Sequence, residues 1–257
     1  MIAVISPAKT LDFGEQCLTA KHTTPDFLDD SQELVDKLTK ASKPKLRELM
    51  GISEKLAALN ADRYKAWQTP FTPDNAKQAL LAFKGDVYTG FQCEDWKAAD
   101  FAFAQKHLRI LSGLYGVLRP LDLIQAYRLE MGTGLATKRG KNLYQFWGDK
   151  VTGALNTALA ESKSKCLVNL ASNEYFSAVR PEKLDADVVT PVFKDFKNGK
   201  YKIISFFAKK ARGMMCDYIV QQRAKKPADL EGFTTAGYRF DPDGSADGTM
   251  LFLREEQ

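Results

Sequence analysis

The sequence predicts an α/β (mixed α+β) chain, a mixed β-sheet surrounded by helices with a helical first third packed against it. Three observations predict this. Residues 1–5 and Cys166 through Leu170 are short apolar runs of the kind that form buried strands, whereas Asp29 to about Asp100 keeps a helical spacing of apolar residues. In the final third, Val188 to Phe196 and Tyr201 to Phe207 flank Lys197-Asn198-Gly199-Lys200, whose Asn-Gly pair supplies the positive φ angles of a hairpin turn. At 257 residues with no low-complexity linker, the chain is expected to form a single domain over 1–257.

The first strand hands over to Ser6-Pro7-Ala8-Lys9-Thr10, and a loop at a strand end is where function is commonly carried, so Lys9 is a candidate. Ser31 is placed to cap a helix running through Lys40, and Leu46, Leu49, Met50 and Ile52 continue the helical spacing. Ser53 is the expected cap of the next helix, with Leu56, Leu59 and Tyr64 along one face before Trp67 and Pro70 close it. These helices read as scaffold. The segment Ala82 to Gly90 interrupts them by setting Lys84, Asp86 and Tyr88 among glycines. It is either a loop built around a ligand, with Lys84 holding an anion, Asp86 relaying a proton and Tyr88 stacking or donating, or a turn with surface charges.

Leu111-Ser112-Gly113-Leu114-Tyr115-Gly116-Val117-Leu118-Arg119-Pro120 is the most informative stretch. Its two glycines predict a tight hairpin with exposed N–H groups that can hold a phosphate, followed at once by the cation Arg119. The pattern resembles a helix-hairpin-helix element gripping a DNA backbone, with the departure that both Leu114 and Tyr115 separate the glycines and Pro120 delays the second helix. Leu108, Ile110 and Leu111 fit either a helix or a strand before it. Farther on, Arg128 and Glu130 are charges in apolar surroundings and are expected to form an ion pair that orders their loop. The aromatics of Tyr127 to Gly132 and Leu143 to Gly148, interleaved with Arg128, Arg139 and Lys141, suit base stacking with phosphate contacts, or equally a core with a charged rim.

Cys166 to Leu170 ends in Ala171-Ser172-Asn173-Glu174, which puts polar groups where a strand gives way to a helix and makes Asn169, Ser172 and Glu174 site candidates. Ala208-Lys209-Lys210-Ala211-Arg212-Gly213 sets three cations at a strand-to-helix junction, where a phosphate would meet both a helix N-terminus and positive charge. Asp241 to Gly244 and Asp247-Gly248 are turns of a terminal hairpin without the ligand spacing of a calcium loop.

The net charge is +5, but residues 194–226 carry a local +8 and residues 101–150 another +5, against −5 over residues 227–257. The two basic segments are expected to border one cleft that attracts a polyanion. No run approaches membrane-spanning length and the first residues do not read as a signal peptide, so a cytoplasmic protein without a membrane partner is expected. Cys17, Cys93, Cys166 and Cys216 are dispersed and read as reduced, structural thiols. His22 and His107 are the only histidines, so no metal site is expected, and without a Walker loop or dinucleotide fingerprint no cofactor is either.

Read together, Ile5 to Thr10, Phe83 to Tyr88, Leu111 to Gly116, Asn169 to Ser172 and Phe206 to Gly213 give the chain an end-to-end resemblance to the YaaA family of bacterial peroxide-stress proteins. The resemblance implies a cytosolic protein of the hydrogen peroxide response that keeps unincorporated iron low and protects DNA from oxidative damage. It also implies DNA binding through a helix-hairpin-helix element and a basic cleft in an unusual α/β fold.

Two readings follow. In the expected one, a non-enzymatic module binds DNA independently of sequence: Gly113, Tyr115, Gly116 and Arg119 hold one phosphate while Arg128, Lys209, Lys210 and Arg212 line the channel. In the alternative, an enzyme acts on a nucleotide or base through a pocket formed by Lys9, Lys84, Asp86, Tyr88, Asn169, Ser172 and Glu174. There Asp86 or Glu174 would be general acid or base, and Lys9 or Lys84 would hold a small anionic ligand.

Overall fold

A strand buried at all four of its positions needs a partner on each side, and Ile2–Ile5 (β1) has two. In the computed structural model, which describes residues 1–14 and 18–256, it lies between Leu108–Ser112 (β5) and Cys166–Leu170 (β8), parallel to both. Cys17 lies outside the described residues.

In chain order β1 is followed by β2 (Thr10–Leu11), α1 (Leu28–Thr39), α2 (Lys43–Met50), α3 (Glu54–Ala66), β3 (Lys77–Gln78), α4 (Ala79–Ala82), β4 (Phe83–Lys84), α5 (Ala98–His107) and β5. Then come β6 (Gly116–Leu118), β7 (Leu123–Ile124), α6 (Leu143–Trp147), α7 (Lys150–Glu161), β8 and α8 (Asn173–Phe176). The final third holds β9 (Asp187–Lys197), β10 (Lys200–Lys202), α9 (Ser205–Gln221), β11 (Arg239–Ala246) and β12 (Thr249–Arg254). The main sheet runs β11-β12-β9-β8-β1-β5-β6, with β10 hairpinned onto β9, eight strands in a mixed and largely parallel α/β arrangement. Two further two-stranded pairings, β2 with β4 and β3 with β7, tie the loops together.

Two features of this sheet position the site. The first is the direction of α9. The Met1 amine donates to the carbonyl of Lys225, just beyond the end of α9, so α9 runs antiparallel to β1 and starts at the carboxyl edge of the parallel strands. The second is a fork. β8 and β9 pair only through Val168 and Val189; beyond that, Asn169 and Leu170 stay with β1 while Thr190 to Asp195 pair with β12.

Several expectations are met. Ser53 caps α3, its Oγ accepting from Leu56 N at 3.3 Å, and Asn198 and Gly199 take φ of 56° and 78° in the hairpin turn. Others are corrected. Ser31 lies inside α1 with its hydroxyl donated to the Phe27 and Leu114 carbonyls, so it packs α1 on the sheet rather than capping it. Leu56 and Leu59 are exposed, because α3 buries Ala57, Asn60, Ala61 and Tyr64 instead. The strand after the turn stops at Lys202, and Phe206 and Phe207 already belong to α9.

The largest correction concerns Leu111 to Pro120. It is a β-hairpin in the buried sheet, β5 pairing antiparallel with β6, and not a helix-hairpin-helix element. Gly113, Tyr115 and Gly116 are buried, Tyr115 N is satisfied by Ser112 Oγ at 3.0 Å, and the Tyr115 hydroxyl accepts from Trp67 Nε1 at 3.1 Å. Glycine was needed here for packing, since a Cβ on Gly116 would stand 2.8 Å from the Trp147 ring. Among the described residues no helix is long and apolar enough to cross a membrane.

Candidate functional site

The carboxyl ends of β8, β1 and β5 stand side by side; the chain leaving β1 leads on to β5 and the chain leaving β8 to β9 on the other side, a switch point of the kind at which α/β sheets commonly bind ligands. Ser6 follows β1 and Ser172 follows β8. Their hydroxyls are 3.3 Å apart, and Ser172 N donates to Ser6 Oγ at 2.9 Å. The Tyr88 hydroxyl donates to the Ser6 carbonyl at 3.1 Å. Burial pushes the Tyr88 phenol far up, so at neutral pH it is a hydrogen-bond donor and not an acid.

The pairing of β2 with β4 places Thr10 opposite Lys84, and an added Cβ on Gly85 would lie 3.3 Å from Ala8 Cβ. The 84–88 loop is thereby laid along the 6–10 loop. Lys9 pairs with Glu130 at 2.9 Å, Arg128 with the same carboxylate at 2.8 Å, and Lys84 with Asp12 at 3.0 Å. Glu174 is exposed and held through one oxygen, Oε1, which accepts from Gly132 N at 2.9 Å. The N-terminal half of α9 closes the group, with Lys209 3.6 Å from Asp86. Its approach is possible only for glycine. A Cβ on Gly213 would fall 1.8 Å from the Val87 carbonyl oxygen, and one on Gly90 would fall 2.5 Å from the Lys210 carbonyl.

These contacts bring Lys9, Lys84, Asp86, Tyr88, Ser172 and Glu174 to one edge of the sheet, together with Arg128, Lys209, Lys210 and Arg212. The loop holding Arg128 is locked from below, its carbonyl accepting from the buried Tyr64 hydroxyl and Leu129 packing on Gly113. Arg128 Nε is buried without a hydrogen-bond partner among the described residues. Lys210 and Arg212 make no ion pair among the described residues. Asn169 is buried at the end of β8, its Oδ1 accepting from Ala171 N at 3.0 Å, and so orders the strand end.

The two basic segments do not merge as expected. Arg119 lies elsewhere, bound to Asp122 at 3.0 Å, Asp26 at 3.1 Å and the Thr24 carbonyl at 2.6 Å. Arg139 and Lys150 are committed to Asp30. Arg128, by contrast, is tied through Glu130 to Lys9 at the carboxyl edge. Gly113, Tyr115 and Gly116 are enclosed and present no N–H to a phosphate. Sequence reasoning did not single out Ser6 or Asp12 as site residues. A serine directly after a buried strand was the available signal for Ser6, whereas nothing local marks Asp12 as the partner of Lys84.

A cavity of about 840 Å³ opens at the opposite edge, lined by Lys106, His107, Lys163, Lys165, Lys225 and Lys226. Helices α5, α7 and α9 end there, and lysines beside helix C-termini offset the negative ends of the helix dipoles. That accounts for its charge without a ligand and leaves the carboxyl edge as the candidate site. Among the described residues no three of His, Cys, Asp and Glu gather closely enough to hold a metal ion.

A family model described as peroxide stress protein YaaA covers residues 1–244 of the chain.

Proposed function

This chain belongs to the peroxide stress protein YaaA family, and from that premise we propose that it serves the peroxide response in the cytoplasm by binding DNA through backbone phosphates. In this reading it limits the damage done by unincorporated iron at the DNA itself. The observation that carries the reading is the gathering of Lys9, Lys84, Arg128, Lys209, Lys210 and Arg212 at the carboxyl edge of the sheet, six cations beside the four acids Asp12, Asp86, Glu130 and Glu174 that pair with some of them and hold the loops in place. Cations that release phosphate counterions give affinity independent of sequence and steeply dependent on salt.

The test is a titration of short duplex, single-stranded and bulged DNA at several salt concentrations, repeated with Lys209→Ala/Lys210→Ala. Tight binding whose salt slope flattens in the variant supports the reading. Failure to bind any of these at low salt overturns it.

A second reading is favoured by one specific arrangement. Glu174 keeps Oε2 unbonded among the described residues while Oε1 is pinned to Gly132 N, beside the Ser6–Ser172 pair. A fixed carboxylate with a free oxygen near hydroxyls and lysines suits acid–base work on a nucleotide or nucleobase. Glu174→Gln would then abolish turnover while leaving DNA affinity unchanged.

A further inference from the structure

Arg212 sits on the buried stripe of α9. Ala208, Met215, Cys216 and Ile219, at the neighbouring helical positions, are all buried. The rotation of the helix is fixed on one side by Gly213 against Val87 and on the other by Tyr218 against Phe233. α9 packs on β1 and on β9, the two strands that flank β8, so this stripe crosses β8 where β8 and β9 part. Long helical side chains lean toward the helix N-terminus, which for α9 is the carboxyl edge. On this rotation and lean Arg212 is the α9 cation directed at the fork, with Lys209 about one turn nearer the carboxyl edge.

Arg212 is half-buried and its guanidinium makes no hydrogen bond or ion pair among the described residues. Burial alone depresses its pKa, with no carboxylate to compensate. Arg128, at the same edge, has found a carboxylate. A desolvated cation left without a partner weakens the fold unless an anion completes it, and a planar five-donor fork matches the oxygens of a phosphate. Depth selects the kind of phosphate. A diester inside a duplex lies along the strand and meets cations at the rim, whereas a monoester projects from the end of a strand or nucleotide and can enter a recess.

We propose that the fork between β8 and β9 is a recess for a phosphate monoester held by Arg212, so that the protein prefers a phosphorylated strand end to the interior of a duplex. The preference for an end over the interior rests on the DNA-binding reading; the monoester recess itself does not. The shared chemistry is a dianionic phosphate, from either a DNA terminus or a free nucleotide.

The test measures binding of short duplexes with phosphorylated or hydroxyl ends, and of deoxyadenosine monophosphate against deoxyadenosine, to the full chain and to Arg212→Gln. Phosphorylated ends are expected to bind about tenfold more tightly, as one charge-assisted contact provides, with the monophosphate competing and the nucleoside not. Arg212→Gln should erase that preference and melt no lower than the parent, because it removes an uncompensated charge. Lys209→Ala/Lys210→Ala should weaken both duplexes alike. No end preference in the parent, or one that survives Arg212→Gln, overturns the proposal. If no duplex binds but the monophosphate does, and Arg212→Gln abolishes this, the DNA reading fails and the recess stands as a nucleotide site.

Discussion

Glu130 joins Lys9 to Arg128: one carboxylate oxygen takes the Lys9 ammonium at 2.9 Å and the other the Arg128 guanidinium at 2.8 Å. The loop leaving the central strand is thus fastened to the loop that packs under the β5–β6 turn. The same carboxylate also halves the charge that the two cations would otherwise offer a ligand.

Removing it should be felt in stability first. The Arg128 side chain is 16% exposed with Nε already lacking a partner, so Glu130→Ala leaves a nearly buried cation uncompensated. A loss of about 3 kcal/mol is expected in urea unfolding, and Glu130→Gln, which keeps a hydrogen-bond acceptor, should lose less. An unchanged midpoint for the alanine variant would refute this role.

Gly213→Ala tests the approach of α9 to the 88–90 turn. Its Cβ would meet the Val87 carbonyl at 1.8 Å, backbone against backbone, so neither side can yield by rotating a side chain. More than about 3 kcal/mol of destabilisation is expected, together with weakened DNA binding as Lys209 and Arg212 are pushed outward. Calorimetry and titration of the same sample would show both, and a stable variant with parental affinity would contradict the packing described.

Asp30 supplies a pH dependence. Burial acts to raise its pKa, but hydrogen bonds and charge from Lys150 and Arg139 outweigh this and hold the carboxyl below the usual range. A depressed folded pKa adds stability that is complete above the unfolded value and lost as pH falls through the folded one. Unfolding curves from pH 6 down toward pH 2 should therefore show a decline below about pH 4 that is shallower in Asp30→Asn. Parallel curves for the two proteins would remove Asp30 from the account.

Cys93, Cys166 and Cys216 should not act as peroxide sensors. Burial raises the pKa of Cys93, Cys166 and Cys216, which keeps them protonated at neutral pH, and the thiolate is the form that peroxide oxidises. Mass spectrometry after peroxide and a sulfenic-acid trap should find these three unmodified in the native protein and modified once it is unfolded. Rapid native labelling of any of them would point to a redox role.

Much of the frame was legible in the sequence. Residues 1–5 and Cys166 to Leu170 could only be buried strands, and Asn198-Gly199 could only be a turn. Lys9, Ser172 and Glu174 stood out as candidates because they follow predicted strands, and Asp86 because it lies in a glycine-bounded loop. The misread part is instructive in physical terms. Two glycines near one another signal a tight bend, but the signal is the same whether the bend frees its N–H groups for a phosphate or hides them under Trp147, and only the neighbours decide. Charge counts failed for a similar reason. Arg119, Arg139 and Lys150 raise the local sum of residues 101–150, yet their carboxylate partners come from residues 26–33 and Asp122, and long-range pairing is invisible in a window. Arg212 stood out for its charge, while its lack of a partner appeared only in three dimensions.

The late exchange of partners along β9 has an outcome for the handling of the protein. Six residues of β9, Thr190 to Asp195, are paired on one side by the last strand of the chain, Thr249–Arg254, and Arg254 also anchors Asp195. A protease that clipped the tail after Asp247 would strip an interior strand from the sheet and uncover a ladder of unsatisfied backbone groups, a ready template for a neighbouring molecule. Keeping that ladder covered therefore depends on Thr249–Arg254 staying in the sheet.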